Sequence, residues 1–214
     1  MADVPETMSQ YFEIHPTHPQ PRLIAQAANI LRDGGVIAYP TDSCYALGCH
    51  LGDKDAMTRL RRIRGLDESH HFTLMCRDLS ELAAFARTDN TQYRLLKELT
   101  PGPYTFILEG TRELPRRLLH PRRKTIGVRV PDHPVVRELL KELNEPLLST
   151  TLLLPDEEEP MNDPHQIRAR LEHEVDLVMD AGSCGIEMTT VVDLTGNTIE
   201  ILRKGKGPIM LFAH

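Results

Sequence analysis

The sequence predicts a single α/β domain built on a twisted sheet of mixed parallel and antiparallel strands, flanked by helices. Segments typical of strands and of helices alternate through most of the chain and give way to strands near its end, an order typical of this class. The 214 residues are 40% hydrophobic, which suffices for one sizeable core. We find no internal repeat or linker, so we expect one domain over residues 11–214 and a flexible N-terminus over residues 1–10.

Helical periodicity and short apolar runs alternate in the first half of the chain. Leu23, Ala27, Ile30 and Leu31 recur at helical spacing, and Gly34 follows them as a helix end. The predicted strands here are 11–14 (an edge strand), 36–39, 45–49 and 72–76, and the predicted helices are 22–32, 54–64, 81–86 and 93–99.

Strands predominate in the second half. The turn residues Pro101, Gly102 and Pro103 lead directly into an apolar run, which indicates a strand. An acidic loop over 155–164 separates this region from the last elements. The predicted strands are 104–108, 126–130, 146–154, 175–179, 189–194 and 199–203, and the predicted helices are 135–143 and 165–172.

Composition excludes several classes of protein. No apolar run is long enough to span a membrane, and the first ten residues lack the apolar region of a secretory signal. The four cysteines are scattered without a CxxC pair, so we expect no disulfide framework, no metal site formed by the protein alone, and a reducing, cytoplasmic location. A net charge of -6 argues against a protein that binds nucleic acid over its whole surface.

Basic residues are concentrated in two segments despite the acidic total. Such local charge is compatible with a phosphate-bearing ligand, although solvated surface faces would give the same pattern. One segment holds Arg59, Arg61, Arg62 and Arg64, and the other contains a candidate RNA or phosphate patch of Arg116, Arg117, Arg122, Arg123 and Lys124.

The stretch from Gly34 to Gly48 contains the first candidate site. A short apolar strand ends at Pro40 and is followed at once by Thr41, Asp42 and Ser43. Open α/β sheets place ligands at the carboxyl ends of such strands, but an ordinary strand exit with polar caps would have the same sequence. The neighbouring Cys44 fits a small buried side chain better than a nucleophile.

A second candidate is Arg129, which lies inside the apolar run Ile-Gly-Val-Arg-Val. Burying a guanidinium without an anionic partner is costly, so this residue indicates either a bound anion or an internal salt bridge. Hydroxyl residues lie at several other predicted strands, including Thr105, Ser149 and Thr151. Such a set lacks an obvious acid, base or nucleophile and would act by positioning and charge stabilisation, as in phosphoryl and nucleotidyl transfer.

The residues from Tyr39 to Gly48 resemble the YPT(D/E)xxYGLG signature of the YrdC-like family. Further segments match in the same chain order from about Arg22 to about Gly207, and the amino-acid sequence is most similar to the YciO branch of the family. The matching segments are Arg62-Ile63-Arg64, Pro101 to Thr105, Ile126 to Pro131, Pro146 to Thr151, Thr189 to Asp193 and Leu202-Arg203.

This resemblance implies a single YrdC-like domain with a concave basic face. It implies an L-threonylcarbamoyladenylate synthase, a nucleotidyltransferase that joins L-threonine, bicarbonate (or a related small acid) and ATP with Mg²⁺, for the t6A modification of tRNA. The alternative within the same family is binding of double-stranded or ribosomal RNA without synthase activity, and structured RNA or tRNA is then the partner.

The resemblance also implies roles for individual residues. Arg64 and Arg129 fall on catalytic positions; Thr41, Ser149 and Arg129 fall on the threonine side; and Arg62, Arg64, Thr105, Thr151 and Arg203 fall on the nucleotide side. Two positions differ from the family, because Arg62 replaces a lysine and Leu153 replaces an asparagine. Loss of one polar contact costs roughly 1–3 kcal/mol, so we expect weakened activity.

Overall fold

A computed structural model describes residues 8–67, 72–120 and 122–212. Residues 1–7 of the predicted flexible N-terminus lie outside this range. The Ser9 amide donates to the Glu172 carbonyl at 2.7 Å, and the first strand begins at Gln10.

The described residues form eleven strands and six α-helices. The strands are β1 Gln10–Glu13, β2 Val36–Tyr39, β3 Ala46–His50, β4 Thr73–Met75, β5 Ala86–Arg87, β6 Tyr104–Gly110, β7 Thr125–Arg129, β8 Leu147–Thr151, β9 Leu177–Asp180, β10 Thr190–Asp193 and β11 Glu200–Arg203. The helices are α1 Pro21–Arg32, α2 Lys54–Arg64, α3 Leu79–Phe85, α4 Asn90–Leu99, α5 Pro134–Leu143 and α6 Pro164–Leu171.

All eleven strands belong to one mixed sheet, which confirms the predicted fold class. Its order is β1-β9-β2-β3-β8-β4-β7-β6-β10-β11, with β5 added beside β6. The β1–β9, β2–β9, β4–β7 and β6–β10 pairs are parallel, and the other pairs are antiparallel. The predicted edge strand is β1, which starts one residue earlier than expected.

Local sequence signals place several element ends correctly. Helix α2 has its predicted bounds because the Asp53 carboxylate accepts the Ala56 amide at 2.8 Å, and Gly65 adopts the left-handed conformation at its end. The prediction of a strand over 146–154 is too long. Strand β8 ends at Thr151, where the Leu153 amide donates to the Thr151 carbonyl, and Leu152 and Leu154 are buried in the loop that follows.

The two faces of the sheet are covered differently. Buried residues of α2, α3, α4 and α6 pack with one face in a core cluster that includes Leu74, Phe106 and Val128. Helices α1 and α5 pack on the other face around Ile37, Tyr39 and neighbouring strands. Residues alternate between faces along a strand, so the second face of β6, β7 and β10 presents side chains beyond the helix cover.

No helix among the described residues is long and apolar enough to cross a membrane.

Candidate functional site

A cavity of about 210 Å³ lies on that second face. Most of its strand residues follow the two-residue period of a single sheet face: Thr73 and Met75 on β4, Thr105 and Ile107 on β6, Gly127 and Arg129 on β7, and Ser149 and Thr151 on β8. The register confirms that these strands are adjacent, since Gly127 is paired with both Ile107 and Thr73, and Thr73 with Ser149.

The lining combines guanidinium groups, hydroxyls and apolar side chains, with no carboxylate among the described lining residues. The guanidinium groups are those of Arg64, Arg129 and Arg203, and the hydroxyls are those of Thr73, Thr105, Ser149, Thr150, Thr151 and Thr189. The structure thereby brings together Arg64, Arg129, Ser149, Thr105, Thr151 and Arg203 from the set that the resemblance implied. A cavity of this composition favours an anion with an apolar portion.

Arg129 lies at the end of β7 and forms an internal salt bridge. Its Nη2 donates to Asp42 Oδ1 at 2.5 Å, and the two side chains are only 7% and 12% exposed. The interpretation of Arg129 as a residue with an internal carboxylate partner is therefore confirmed, and the partner comes from the loop after β2.

Arg64 and Arg203 differ from Arg129 because neither has a carboxylate within ion-pair distance among the described residues. Burial lowers the pKa of the Arg64 guanidinium below its usual value. Burial also lowers the pKa of Arg203, and the charge of Arg129 lowers it further. A bound anion would relieve both effects, since it supplies the countercharge that the cavity lacks.

Hydroxyl groups hold the arginine of the outer strand in place. Arg203 Nε donates to the Thr189 carbonyl at 3.0 Å and Nη2 donates to Thr189 Oγ1 at 3.1 Å. Thr189 Oγ1 in turn lies 2.9 Å from Thr105 Oγ1. This network fixes one side of the guanidinium fork, and within the described part of the chain Nη1 contacts only the Met188 sulfur, at 3.6 Å.

Ser149 is held by hydrogen bonds to residues of β2 and β3, on the part of the sheet face that α1 and α5 cover. Its Oγ lies 2.5 Å from the buried Tyr39 hydroxyl and 3.2 Å from the Leu47 carbonyl. Burial raises the pKa of Tyr39, so this phenol stays protonated. Ser149 is therefore a fixed hydroxyl in the cavity wall.

The Thr41 hydroxyl organises its own loop. Thr41 Oγ1 donates to the Cys44 carbonyl at 2.6 Å and accepts the amides of Ser43 and Cys44 at 3.1 and 3.2 Å. Thr41 does not line the cavity itself, although its Oγ1 lies 3.5 Å from Arg129 Nη2. The loop after β2 is thus both a hydrogen-bonded strand exit and the source of the Arg129 partner.

Cys44 is buried, as the sequence predicted, and lines the cavity. Burial raises the pKa of its thiol, against the opposing effects of the Ser43 hydroxyl and the Arg129 charge. A protonated thiol is a weak nucleophile, so the side chain serves as part of the wall.

The other arginines of α2 are not among the residues that line the cavity. Arg62 Nη2 donates to Glu174 at 2.7 Å from a side chain that is 68% exposed, so the structure does not bring Arg62 to the cavity with Arg64. Arg59 pairs with Asp176, and Arg61 stacks on Phe72 at 4.9 Å. Leu153 is half-buried and is likewise outside the cavity lining.

The candidate RNA patch is exposed at the opposite end of β7. Arg116, Arg117, Arg122, Arg123 and Lys124 precede Thr125, where β7 begins, whereas Arg129 is at its end. Arg123 approaches Asp193 at 3.6 Å and Arg117 donates to the Gly52 carbonyl at 2.8 Å. The patch and the cavity therefore lie toward opposite ends of β7, and the concave basic face that the resemblance implies stays a prediction.

Sequence reasoning missed Thr73, Gly127 and Thr189 as site residues. The available signal was the two-residue alternation of small or hydroxyl residues with apolar ones inside the predicted strands. Gly127 keeps the cavity open, because a Cβ at this position would lie 3.3 Å from Thr105 Cγ2.

Among the described residues, no group of three or more His, Cys, Asp or Glu side chains is placed to hold a metal ion. The lining residues that the structure describes include no carboxylate, so a divalent cation in this cavity would need oxygens from its ligand and from water.

The sequence matches a family model for the Sua5/YciO/YrdC domain, described as "Telomere recombination", over residues 29–205. The chain is 56% identical over 205 residues to the uncharacterized protein YciO of Escherichia coli (strain K12), covering 96% of this chain and 100% of YciO. It is 37% identical over 126 residues to the threonylcarbamoyl-AMP synthase of Nitrosococcus oceani, covering 58% of this chain and 68% of the synthase.

Solved structures show the same fold. The crystal structure of E. coli YciO matches with a TM-score of 0.93 over 96% of this chain and 100% of that chain. The P. abyssi Sua5 structure complexed with L-threonine matches with a TM-score of 0.84 at 22% identity, over 92% of this chain and 58% of that chain.

Proposed function

Because the chain belongs to the Sua5/YciO/YrdC family, we propose that it is an ATP-dependent nucleotidyltransferase of the L-threonylcarbamoyl-AMP synthase type. The observation that carries this proposal is the group of three arginines that line one cavity. Arg64 and Arg203 have no carboxylate partner among the described residues, whereas Arg129 pairs with Asp42. A relative at 37% identity is a threonylcarbamoyl-AMP synthase, and a Sua5 protein of the same fold binds L-threonine.

The proposed reaction begins with L-threonine and bicarbonate, whose condensation to a carbamate releases water. A carbamate oxygen then attacks the α-phosphorus of ATP, and the bond to the bridging oxygen of the β-phosphate breaks to release diphosphate. Both steps join reactants that must be held together, so positioning supplies much of the rate. Mg²⁺ would enter with ATP and screen the phosphate charge.

The residues of the cavity suit these tasks. We assign Arg64 and Arg203 to the phosphates, because their charges are unneutralised and Arg203 is held rigidly by Thr189. Thr105 and Thr151 supply hydroxyls on the same nucleotide side. We assign Arg129 and Ser149 to the amino-acid side, with Thr41 shaping the loop behind them. Fixed guanidinium groups stabilise negative charge that develops on transfer without reorganising.

Diphosphate release from ATP with Mg²⁺ tests this proposal. We expect release by the wild type that requires both L-threonine and bicarbonate, and at least a tenfold loss in Arg203→Ala, since a charge-assisted contact is worth roughly 1.5–3 kcal/mol. Arg94→Ala removes an exposed arginine and serves as the matched control. Release that ignores threonine, or equal rates in wild type and Arg203→Ala, would show the assignment to be wrong.

A second candidate function is binding of structured RNA, favoured by the exposed patch of Arg116, Arg117, Arg122, Arg123 and Lys124. Double-stranded RNA should bind with an affinity that falls steeply as salt rises, because bound phosphates release counterions. Arg122→Ala with Arg123→Ala should flatten that dependence, whereas Arg94→Ala with Arg137→Ala removes the same charge elsewhere. A salt response that is flat, or the same in both double variants, would exclude this function.

A further inference from the structure

The three arginines of the cavity are not equivalent in their countercharge. Arg203 contacts the Thr189 carbonyl, the Thr189 hydroxyl and the Met188 sulfur. Arg64 Nε is buried without a hydrogen-bond partner among the described residues. Arg129 alone is paired with a carboxylate, that of Asp42. A polyanion that enters the cavity therefore finds two available charges and one that is already neutralised.

The Arg129–Asp42 pair uses only part of its bonding capacity. The contact joins one guanidinium nitrogen to one carboxylate oxygen, whereas Asp42 Oδ2 and Arg129 Nε are buried without a hydrogen-bond partner among the described residues. A guanidinium prefers to bind a carboxylate through two parallel bonds. A ligand carboxylate could thus make a more complete pair with Arg129 than Asp42 does.

Within the described part of the chain, the Asp42 carboxylate is not one of the groups that hold its own loop. The Asp42 backbone carbonyl accepts a hydrogen bond from Lys206 Nζ, and the loop around it is tied together by Thr41 Oγ1. Rotation of the carboxylate away from Arg129 would therefore leave these bonds of the loop intact. Arg129 lines the cavity and Asp42 does not, so a ligand meets Arg129 first.

We propose that Asp42 is an internal competitor for Arg129, which makes the cavity select carboxylates that carry a second anionic or polar anchor. A simple carboxylate must displace Asp42 with no other gain, whereas a larger ligand also gains contacts elsewhere in the cavity. Two carboxylates on one guanidinium repel each other, so Asp42 weakens the binding of a ligand carboxylate to Arg129 while it stays in place. The inference rests on the proposed function only in taking a carboxylate-bearing amino acid as the natural ligand.

Acetate is the probe that tests the competition, because it has a carboxylate and no second anchor. The acetate concentration that gives half of the maximal rise in melting temperature would be measured for wild type, Asp42→Asn and Asp42→Glu. We expect Asp42→Asn to respond at acetate concentrations at least about tenfold lower, since the bond to be displaced is charge-assisted. Asp42→Glu keeps the competing charge and should not gain this sensitivity.

Asp132→Asn is the matched control, because it removes one carboxylate close to the end of β7 that is 56% exposed and pairs with Arg137 instead. An Asp42→Asn variant with unchanged or weaker acetate response would overturn the proposal and make Asp42 a positioning residue. Should Asp42→Asn fail to fold, the wild-type crystal structure in acetate decides. Acetate on Arg129 with Asp42 displaced supports the proposal, whereas an intact Arg129–Asp42 bond beside bound acetate overturns it.

This test separates the inference from the proposed function. Acetate sensitivity depends only on Arg129 and Asp42, whereas diphosphate release depends on ATP, bicarbonate and threonine. Failure of the release assay with a positive acetate result would reject the synthase assignment alone.

Discussion

At the scale of single residues, Arg62 and Arg64 form a natural pair for testing the cavity. They lie on the same helix two positions apart, yet Arg64 lines the cavity and Arg62 pairs with Glu174 outside it. We expect Arg64→Ala to weaken ATP binding roughly tenfold to hundredfold, because a charged contact is worth roughly 1.5–3 kcal/mol.

Calorimetric titration of ATP into both variants measures the difference. Arg62→Ala should leave the dissociation constant within about twofold of wild type, because a charge exposed to water contributes little. Equal losses in the two variants would place Arg62 in the nucleotide site as well.

The half-buried His133 predicts a pH dependence of stability. Burial lowers its pKa below the usual 6.5, although the charges of Asp42 and Asp132 oppose this effect. The unfolded chain then binds a proton more readily than the folded protein as pH falls below about 6.5. The contribution of His133 to stability is therefore present at neutral pH and is lost on acidification.

His133→Asn removes this titration while retaining a good cap for α5, since the His133 ring accepts the Val135 amide at the start of the helix. Melting temperatures at pH 7.5 and 5.5 should differ less in this variant than in wild type. His173→Asn, at an exposed position, provides the comparison. If both variants lose as much stability on acidification as wild type, another group is responsible.

Residue types and the family resemblance together identified many of the residues that line the cavity, but not how they are paired. Arg129 was identifiable because a charge interrupts an apolar strand, and the two possible partners followed from the cost of burying it. The choice of Asp42 depends on the β2 loop meeting the end of β7, a contact between residues far apart in the chain. Similarly, Arg62 and Arg64 look alike in sequence, and only the direction of each side chain on α2 separates them.

At the scale of elements, strand β7 determines how much room the cavity has. Gly127 lies between Thr105 and Thr73, and an added Cβ would be 3.3 Å from Thr105 Cγ2 and 3.5 Å from Thr73 Oγ1. Gly127→Val should fit the strand and fill the cavity with methyl groups. We expect ligand affinity to fall at least tenfold with a modest drop in melting temperature, because Thr105 must shift slightly to admit the Cβ although β-branched residues favour strands.

Thermal unfolding and ATP titration of Gly127→Val measure these two effects separately. Gly110→Val on β6 is a contrasting variant, because a Cβ there would collide with Leu119 at 2.2 Å, away from the cavity. Gly110→Val should lower the melting temperature and leave the affinity for ATP close to that of wild type. A Gly127→Val protein that binds ATP normally would show that the ligand does not use this face of the sheet.

Element types were predictable because hydrophobic period and capping residues act locally. Helix α2 and strand β2 have their predicted bounds for this reason. The range predicted for strand β8 was too long, because the loop after Thr151 is as apolar as a strand. The order of strands in the sheet could not be derived from local pattern. Strand β8 pairs with β3 and β4, which lie far from it in the sequence.

At the scale of the whole molecule, ligand binding should stabilise the complete fold. ATP at one hundred times its dissociation constant should add about 2.7 kcal/mol to the free energy of unfolding. For a protein of this size that corresponds to a rise in melting temperature of roughly 5–10 °C. Differential scanning calorimetry with and without ATP measures the rise.

Arg203→Ala should remove most of this stabilisation without much lowering the melting temperature of the ligand-free protein, since Arg203 lies at the edge of the sheet. A rise of the same size in Arg203→Ala would mean that ATP binds elsewhere on the molecule.

The chain order of the cavity residues has a consequence for synthesis of the protein. Arg64 is made early, whereas Arg203 comes from the last strand of the sheet and reaches the others only through β10. A nascent chain without β11 therefore lacks one of the two arginines that we assign to the phosphates. If ATP binds as proposed, it protects the complete chain more than a chain that ends before β11, and proteolysis in the presence of ATP would distinguish the two.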